Sequence, residues 1–370
     1  MTTILFDVDG VFLSEARCFD VSALTVEELL YNPRYLNIDG RKFKTSYTDE
    51  EIKEIRQTIF MNDKILERFK EIGLNSNWDM LFISFSIIYI DILKKEGLNL
   101  QDVDITDLNT VGDMLGEVTV RPELVEEFLS EKVETKENVY AALIEEAKTL
   151  PGIEDLSVFE LYGSIWSLGH QVYQEWYLGS DLVEADTGMP AEEVDKKGFI
   201  YDEEWIVSSD KIKDMLLNLK EAGYTIGVAT GRPRQETLIP FEQGGLDRVF
   251  DENRISTATD VMWAQEQNLV DHALTKPHPF SYLWSLYLHN SGMLEAAVNG
   301  RNMSEEDIII VGDSVADYYC ARAIDATFLA PLTGLTGVDI KDTFTELGVS
   351  EDCMLKDVLE VPEAMMRLNK

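Results

Sequence analysis

Apolar and polar positions follow two different patterns along the chain. A short apolar run, Thr3 to Val8, comes first and is typical of a buried strand. From about residue 12 to about residue 195, apolar residues recur at helical spacing. After residue 196, apolar runs of strand length alternate with amphipathic segments such as Ser209–Ala222. This alternation predicts βαβ units and a parallel sheet covered on both faces, with a long helical insert after its first strand.

Turn signals between the runs set the limits of the predicted elements. In the insert, the most regular periodicity predicts helices over Thr48–Met61, Asp63–Ile72, Trp78–Lys95, Lys136–Thr149 and Val158–Tyr177. After the insert, strands are predicted over Tyr224–Thr230, Arg248–Phe250, Asp307–Val311 and Ala326–Ala330. We therefore expect an α/β protein with a discontinuous sheet domain, residues 1–14 and 196–370, and an all-helical domain, residues 15–195.

The charge balance is strongly acidic. The 370 residues include 69 acidic and 32 basic ones, a formal net charge of −37. Such a chain lacks the basic surface with which proteins bind nucleic acid or anionic membranes. The longest strongly apolar stretch, Met80 to Leu93, contains Asp91 and is shorter than the ~20 residues of a membrane helix. Because no basic segment precedes the first apolar run, as it would in a secretory signal, we expect a soluble cytoplasmic protein.

Polar residues stand directly after the predicted strands, where parallel sheets place their active sites. The first strand runs into the sequence DVDG, with the carboxylates Asp7 and Asp9 before a glycine that permits a tight turn. The next predicted strand ends at Thr230 and is followed by Gly231, an arrangement that suits anion binding. Taken singly, each pattern is equally consistent with an ordinary polar turn.

Two further groups complete the pattern. Asp313 and Asp317 follow a predicted strand at a spacing that places both on one face of the next helix, and Lys276 stands in the loop TKPHP. Alone, the aspartates are consistent with a helix cap and a solvated residue, and the lysine with a surface residue. Together, carboxylates from two strand ends suit Mg²⁺, which favours oxygen ligands and holds substrate phosphate. One carboxylate is then a candidate nucleophile and a second a candidate general acid.

Four motifs in chain order, DVDGV, TGR, KPHP and GDSVAD, resemble those of the haloacid dehalogenase superfamily of phosphotransferases. The resemblance is confined to residues 1–14 and about 196–370. It implies a Rossmann-like parallel sheet core, and the insert is similar to the C1-type helical cap of the phosphoglycolate phosphatase-like branch, although it is larger. In that family the cap closes over the site and selects the substrate.

The resemblance implies roles for the matching acidic residues. Asp7 would be the nucleophile and a Mg²⁺ ligand. Asp9 would be the general acid and base, with its backbone carbonyl also on the metal, and Asp313 would be the second metal carboxylate. An acid at position 9 disfavours the dehalogenase and phosphonatase branches, which lack it.

The resemblance also implies which residues bind the phosphoryl group. Thr230 and the amide of Gly231 would bind its oxygens, and Lys276 would bridge the nucleophile and the phosphoryl group. Asp317 would support the metal shell or Lys276. Arg232, directly after the glycine, is more consistent with a solvated or structural arginine than with a substrate contact.

These residue roles together predict a Mg²⁺-dependent phosphatase that hydrolyses a small phosphorylated metabolite through an aspartyl-phosphate. One alternative is a phosphotransferase or mutase of the β-phosphoglucomutase type, in which the phosphoryl group passes to a sugar hydroxyl rather than to water. Another is a regulatory binding protein with vestigial catalysis, against which the presence of every catalytic residue type argues.

Overall fold

The computed structural model describes residues 2–40, 43–97 and 100–368. The chain folds into two compact units, residues 1–16 with 200–370 and residues 17–199. The domain limits predicted from the sequence, after residues 14 and 195, stay a prediction. In chain order the α-helices are α1 (Ala16–Tyr31), α2 (Asp49–Ile59), α3 (Lys64–Glu71), α4 (Asn77–Glu96), α5 (Leu108–Met114), α6 (Glu123–Lys132), α7 (Lys136–Ala147), α8 (Ser164–Leu178), α9 (Val183–Thr187), α10 (Ser209–Glu221), α11 (Arg234–Gln243), α12 (Ala258–Glu266), α13 (Phe280–Leu286), α14 (Leu294–Val298), α15 (Val315–Ala323), α16 (Ile340–Glu346) and α17 (Val361–Leu368).

The first unit is built on a parallel sheet, which has six strands within the described residues. The strands are β1 (Thr2–Phe6), β2 (Thr225–Ala229), β3 (Ile255–Ser256), β4 (Asp307–Val311), β5 (Thr327–Pro331) and β6 (Met354–Leu355). Their spatial order is β3-β2-β1-β4-β5-β6, and every pair of neighbours is parallel. The predicted fold class, a parallel sheet with a helical insert after its first strand, is confirmed.

The central strand β1 is buried on both faces. Ile4 and Phe6 pack into one hydrophobic core with Leu216 of α10, whereas Leu5 packs into a second core with Leu283 of α13. Because both faces are covered, the strand is a continuous apolar run rather than an alternating one. The sheet extends from β1 to β2 on one side and to β4 on the other, so the strand order reverses at β1. Open α/β sheets bind ligands at such a point, beyond the carboxyl ends of the strands.

One predicted strand is wrong. Residues Arg248–Phe250 form a turn, in which the amide of Val249 donates to the carbonyl of Leu246 (3.0 Å), and the strand β3 comes after it. Val249 and Phe250 are buried in the core, so their apolar character reflects packing of the turn rather than membership of the sheet. The short strand β6 was not predicted, because two residues are too few to produce a period.

Among the residues that the structure describes, the regular elements of the second unit are all helices. Helix α4 is buried along most of its length. The one acidic side chain in its long apolar run, Asp91, is ion-paired with Arg121 and with Lys95. In the described part of the chain, every helix is too short or too polar to cross a membrane.

A buried charge cluster lies inside the helical unit. The Nζ of Lys196 is 2.8 Å from Oε2 of Glu28 on α1 and 3.0 Å from Oε2 of Glu175 on α8, and none of the three side chains is exposed. The same ammonium lies 4.8 Å from the centre of the Trp176 ring. Burial raises the pKa of Glu28 above its ordinary value, in spite of the opposing charge of Lys196. One lysine therefore pairs with two buried carboxylates and ties the segment after α9 to two helices.

We expect Lys196→Met to lower the free energy of unfolding by about 3–5 kcal/mol, because it leaves the carboxylates buried without their counter-charge. Lys197→Met is the matched control, since the neighbouring Lys197 is exposed, and it should change the free energy by no more than about 0.5 kcal/mol. Urea unfolding followed by circular dichroism measures both. Equal effects of the two substitutions would contradict a stabilising role for the cluster.

Candidate active site

Three carboxylates meet at the edge of the sheet where β1 and β4 end. Asp7 directly follows β1, Asp313 lies in the turn after β4, and Asp317 lies in the first turn of α15. The parallel register places Phe6 opposite Val311, and the amide of Asp7 donates to the Val311 carbonyl (2.9 Å). One oxygen from each carboxylate lies within 4.8 Å of the other two. The structure thus brings together three of the acidic residues selected from the sequence.

Lys276 joins this cluster. Its Nζ lies 2.9 Å from Oδ1 of Asp7 and 2.8 Å from Oδ1 of Asp317, and it forms an ion pair with each carboxylate. The fully buried Asp317 also accepts hydrogen bonds from the hydroxyls of Tyr282 (2.8 Å) and Ser314 (2.7 Å). Both of its oxygens are therefore occupied, so Asp317 is fixed as the partner of Lys276.

The pKa values of the cluster follow from burial and from these charges. Burial, with the nearby charges of Asp317 and Asp9, raises the pKa of Asp7 to about 7, although Lys276 acts in the opposite direction. Burial would also raise the pKa of Asp317, but Lys276 and the two hydroxyls outweigh it and hold this pKa below its ordinary value. Burial disfavours the charged lysine, yet the two carboxylates raise the pKa of Lys276. Lys276 is therefore cationic, and any further cation beside Asp7 would favour its ionised form.

Asp313 lies in a cradle formed by two glycines. A Cβ atom on Gly10 would lie 2.2 Å from Oδ2 of Asp313, and one on Gly334 would lie 2.1 Å from the same oxygen. Gly10 has a φ of +70°, and its carbonyl accepts a hydrogen bond from Thr333 (2.5 Å). Side chains at either glycine would displace the carboxylate. The carboxylates of Asp7 and Asp313, which lie close together in this cluster, supply the oxygen donors that a hard divalent cation prefers, and we conclude that the residues fit Mg²⁺.

Thr230 and Gly231 form the turn after β2. The amide of Thr230 donates to the Ser256 carbonyl (3.0 Å), and its Oγ1 accepts from the amide of Arg232 (3.1 Å). Among the described residues, Thr230 makes no hydrogen bond with Asp7 or Lys276. Apart from the two chain neighbours of Gly231, no residue that the structure describes has a heavy atom within 4 Å of where a Cβ on this glycine would be. The space beside this glycine is therefore open.

Asp9 lies apart from the three clustered carboxylates. Its side chain is 28% exposed and forms an ion pair with Arg232, which is almost completely buried and also pairs with Glu203. Of the two alternatives for Arg232, a solvated or a structural arginine, the first is therefore wrong and the second agrees with the structure.

Several neighbours of the site were missed by the sequence analysis. Ser314 and Asp317 form a capping box at the start of α15, a three-residue spacing that the sequence GDSVAD contains and that identifies the serine as a neighbour of Asp317. Tyr282 and Gly334 carry no comparable signal. Tyr282 lies in the apolar run FSYLW, and Gly334 reaches Asp313 only through the fold.

Comparisons with known proteins find one family and one solved structure to which the chain is similar. Residues 195–330 match the family model described as haloacid dehalogenase-like hydrolase. A solved X-ray structure, a target of the Northeast Structural Genomics Consortium, is 43% identical to the chain and superposes with a TM-score of 0.86, covering 100% of this chain and 99% of that one. Among curated proteins, none gives a match.

Proposed function

The chain belongs to the haloacid dehalogenase superfamily of hydrolases, and from this membership we propose that it is a Mg²⁺-dependent phosphatase acting on a small phosphorylated metabolite. The observation that carries the proposal is the ion pair of Lys276 with Asp7 at the end of β1, 2.9 Å long, beside two further carboxylates. A carboxylate held next to a cation is suited to attack a phosphoryl group, because the cation offsets the charge of both.

In the proposed reaction, an oxygen of Asp7 attacks phosphorus and the bond to the leaving oxygen breaks. Asp9 donates its proton to that oxygen as a general acid. Asp9 then removes a proton from a water molecule, which attacks the aspartyl-phosphate, releases inorganic phosphate and restores the Asp7 carboxylate. Lys276, the hydroxyl of Thr230 and the amide of Gly231 bind the phosphoryl oxygens through both steps.

The proposed metal ligands are the carboxylates of Asp7 and Asp313 and the backbone carbonyl of Asp9. Bound Mg²⁺ would neutralise charge on the transferring phosphoryl group. Asp317 is not among these ligands, because both of its oxygens are already engaged by Lys276 and by two hydroxyls. Its proposed role is to hold Lys276 in place.

The purified protein tests this proposal directly. We expect it to release inorganic phosphate from members of a panel of phosphorylated metabolites in the presence of Mg²⁺. Conversion of a sugar phosphate to an isomer with little free phosphate would instead identify a phosphotransferase. Failure to turn over any phosphate ester, p-nitrophenyl phosphate included, would contradict catalysis and favour a binding protein.

Asp9→Asn is expected to lower kcat/KM on an alkyl phosphate by about 10²–10⁴-fold, the usual contribution of a positioned general acid or base. This parameter reports the attack of Asp7 on the ester, and its loss should be much smaller on p-nitrophenyl phosphate, because nitrophenolate leaves without a proton. Steady-state kinetics with both esters measures the difference. Equal losses on the two substrates would count against Asp9 as the acid.

A further inference from the structure

We propose that Arg232 and Glu203 are positioning residues that hold the side chain of Asp9 in place for proton transfer. The inference rests on the proposed function, since Asp9 is there the acid and base. Arg232 follows the turn that carries Thr230 and Gly231, whereas Glu203 lies in the segment by which the chain returns to the sheet unit.

Arg232 contacts Asp9 with two nitrogens. Its Nε lies 2.7 Å and its Nη2 2.6 Å from Oδ1 of Asp9. On the other side, its Nη1 pairs with Oε1 of Glu203 and donates to the backbone carbonyl of Glu236 (3.4 Å). Contacts on both sides therefore fix the planar guanidinium group. The fixed group in turn restricts the rotamers that the Asp9 side chain can adopt.

Burial separates this arrangement from a surface ion pair. The side chains of Arg232 and Glu203 are 4% and 1% exposed, whereas that of Asp9 is 28% exposed. Both arginine contacts fall on Oδ1, and among the described residues Oδ2 of Asp9 has no hydrogen-bond partner. The buried arginine therefore holds Oδ1 of Asp9, while Oδ2 remains available to carry the proton.

Glu203 links Arg232 to a segment that pairs with the residues following Asp9. The segment after Asp9 pairs antiparallel with the returning segment: the amide of Ser14 donates to the Glu204 carbonyl (2.8 Å), and that of Ile206 to the Phe12 carbonyl (3.0 Å). Arg232 is thus bound both to the outgoing segment, through Asp9, and to the returning one, through Glu203. When Asp9 carries the proton, the buried Glu203 still balances the charge of Arg232, which a neutral residue at position 203 would then leave uncompensated.

The test is a double-mutant cycle in kcat/KM, which reports the attack of Asp7 on the ester. Arg232→Lys keeps the charge but loses the fork, and we expect it to lower kcat/KM on an alkyl phosphate by on the order of 10²-fold, the effect of a small misplacement of a catalytic group. On p-nitrophenyl phosphate the loss in kcat/KM should be slight. In an Asp9→Asn background, Arg232→Lys should have no further effect, because it acts through Asp9.

Glu203→Gln provides an independent variant, and Glu204→Gln is its matched control because the adjacent Glu204 is exposed. We expect Glu203→Gln to lower kcat on the alkyl phosphate by about tenfold with little change in KM, and Glu204→Gln to leave both values unchanged. If the losses from Arg232→Lys and Glu203→Gln are equal on both esters and persist in the Asp9→Asn background, the two residues are merely structural and the proposal is wrong.

A second readout separates this inference from the proposed function. The melting temperatures of Arg232→Lys, Asp9→Asn and the double variant form a cycle that needs no substrate. If the ion pair between Arg232 and Asp9 contributes to stability, the shifts in melting temperature should be non-additive. Additive shifts would contradict an interaction between the two side chains. A wild-type protein that hydrolyses no ester would contradict the proposed function, whatever the outcome of this cycle.

Discussion

Replacing Asp7 by Asn is expected to abolish turnover, with a loss of at least about 10⁴-fold in kcat. The amide is nearly isosteric with the carboxyl group, but it is neither an anionic nucleophile nor a strong metal ligand. The fold should be unaffected. Asp7 is buried beside Asp317, and its pKa is raised to about 7, so a neutral side chain relieves repulsion and should not lower the melting temperature.

Asp307→Asn is the matched control for this experiment. Asp307 is exposed at the start of β4, at the opposite end of the sheet from Asp7, and its substitution should leave kcat unchanged. Rapid quenching followed by mass spectrometry should find a phosphoryl group on the peptide that contains Asp7 in the wild-type protein and none in Asp7→Asn. Full activity of Asp7→Asn, or a phosphoryl group on another residue, would show that the covalent mechanism is wrong.

The sheet could be predicted from the sequence because its central strands are buried on both faces. Ile4–Phe6 and Ile308–Val311 are continuous apolar runs, with Asp7 directly after the first and Asp313 two positions after the second. The parallel sheet then brings those aspartates to one edge. The prediction of Arg248–Phe250 as a strand failed for a related reason. A buried turn and a buried edge strand have the same apolar composition, and three residues do not show a period.

The site was less predictable where it depends on residues far apart in the sequence. Asp7, Asp313 and Lys276 carry functional groups whose types suggest chemistry by themselves. Gly334 carries none, and its closeness to Asp313 follows from the path of the chain after β5. The sequence left open whether Arg232 is solvated or structural for the same reason, because its partner Glu203 lies 29 positions away and burial cannot be seen from an isolated charged residue.

Removal of divalent metal is expected to eliminate activity. EDTA should reduce turnover to background, and Mg²⁺ should restore it, because three carboxylates crowded within 4.8 Å repel one another and the substrate phosphate. Ca²⁺ should restore it poorly, since its longer bonds and higher coordination number would hold Asp7 away from in-line attack. Unchanged turnover in a preparation shown to be metal-free would contradict the metal site.

Asp313→Asn tests which residues hold the metal. The substitution conserves the shape that the cradle of Gly10 and Gly334 accepts, so any effect reports the lost charge rather than a clash. We expect the Mg²⁺ concentration for half-maximal activity to rise by at least about 100-fold. Mg²⁺ should also raise the melting temperature of the wild-type protein, because a ligand that binds only the folded state stabilises it, and this rise should be lost in the variant. Asp325→Asn changes an exposed aspartate just beyond α15 and should keep both properties. If Asp313→Asn retained the wild-type Mg²⁺ requirement and the rise in melting temperature, the metal would have to be held without Asp313, and the carboxylate in the glycine cradle would need another role.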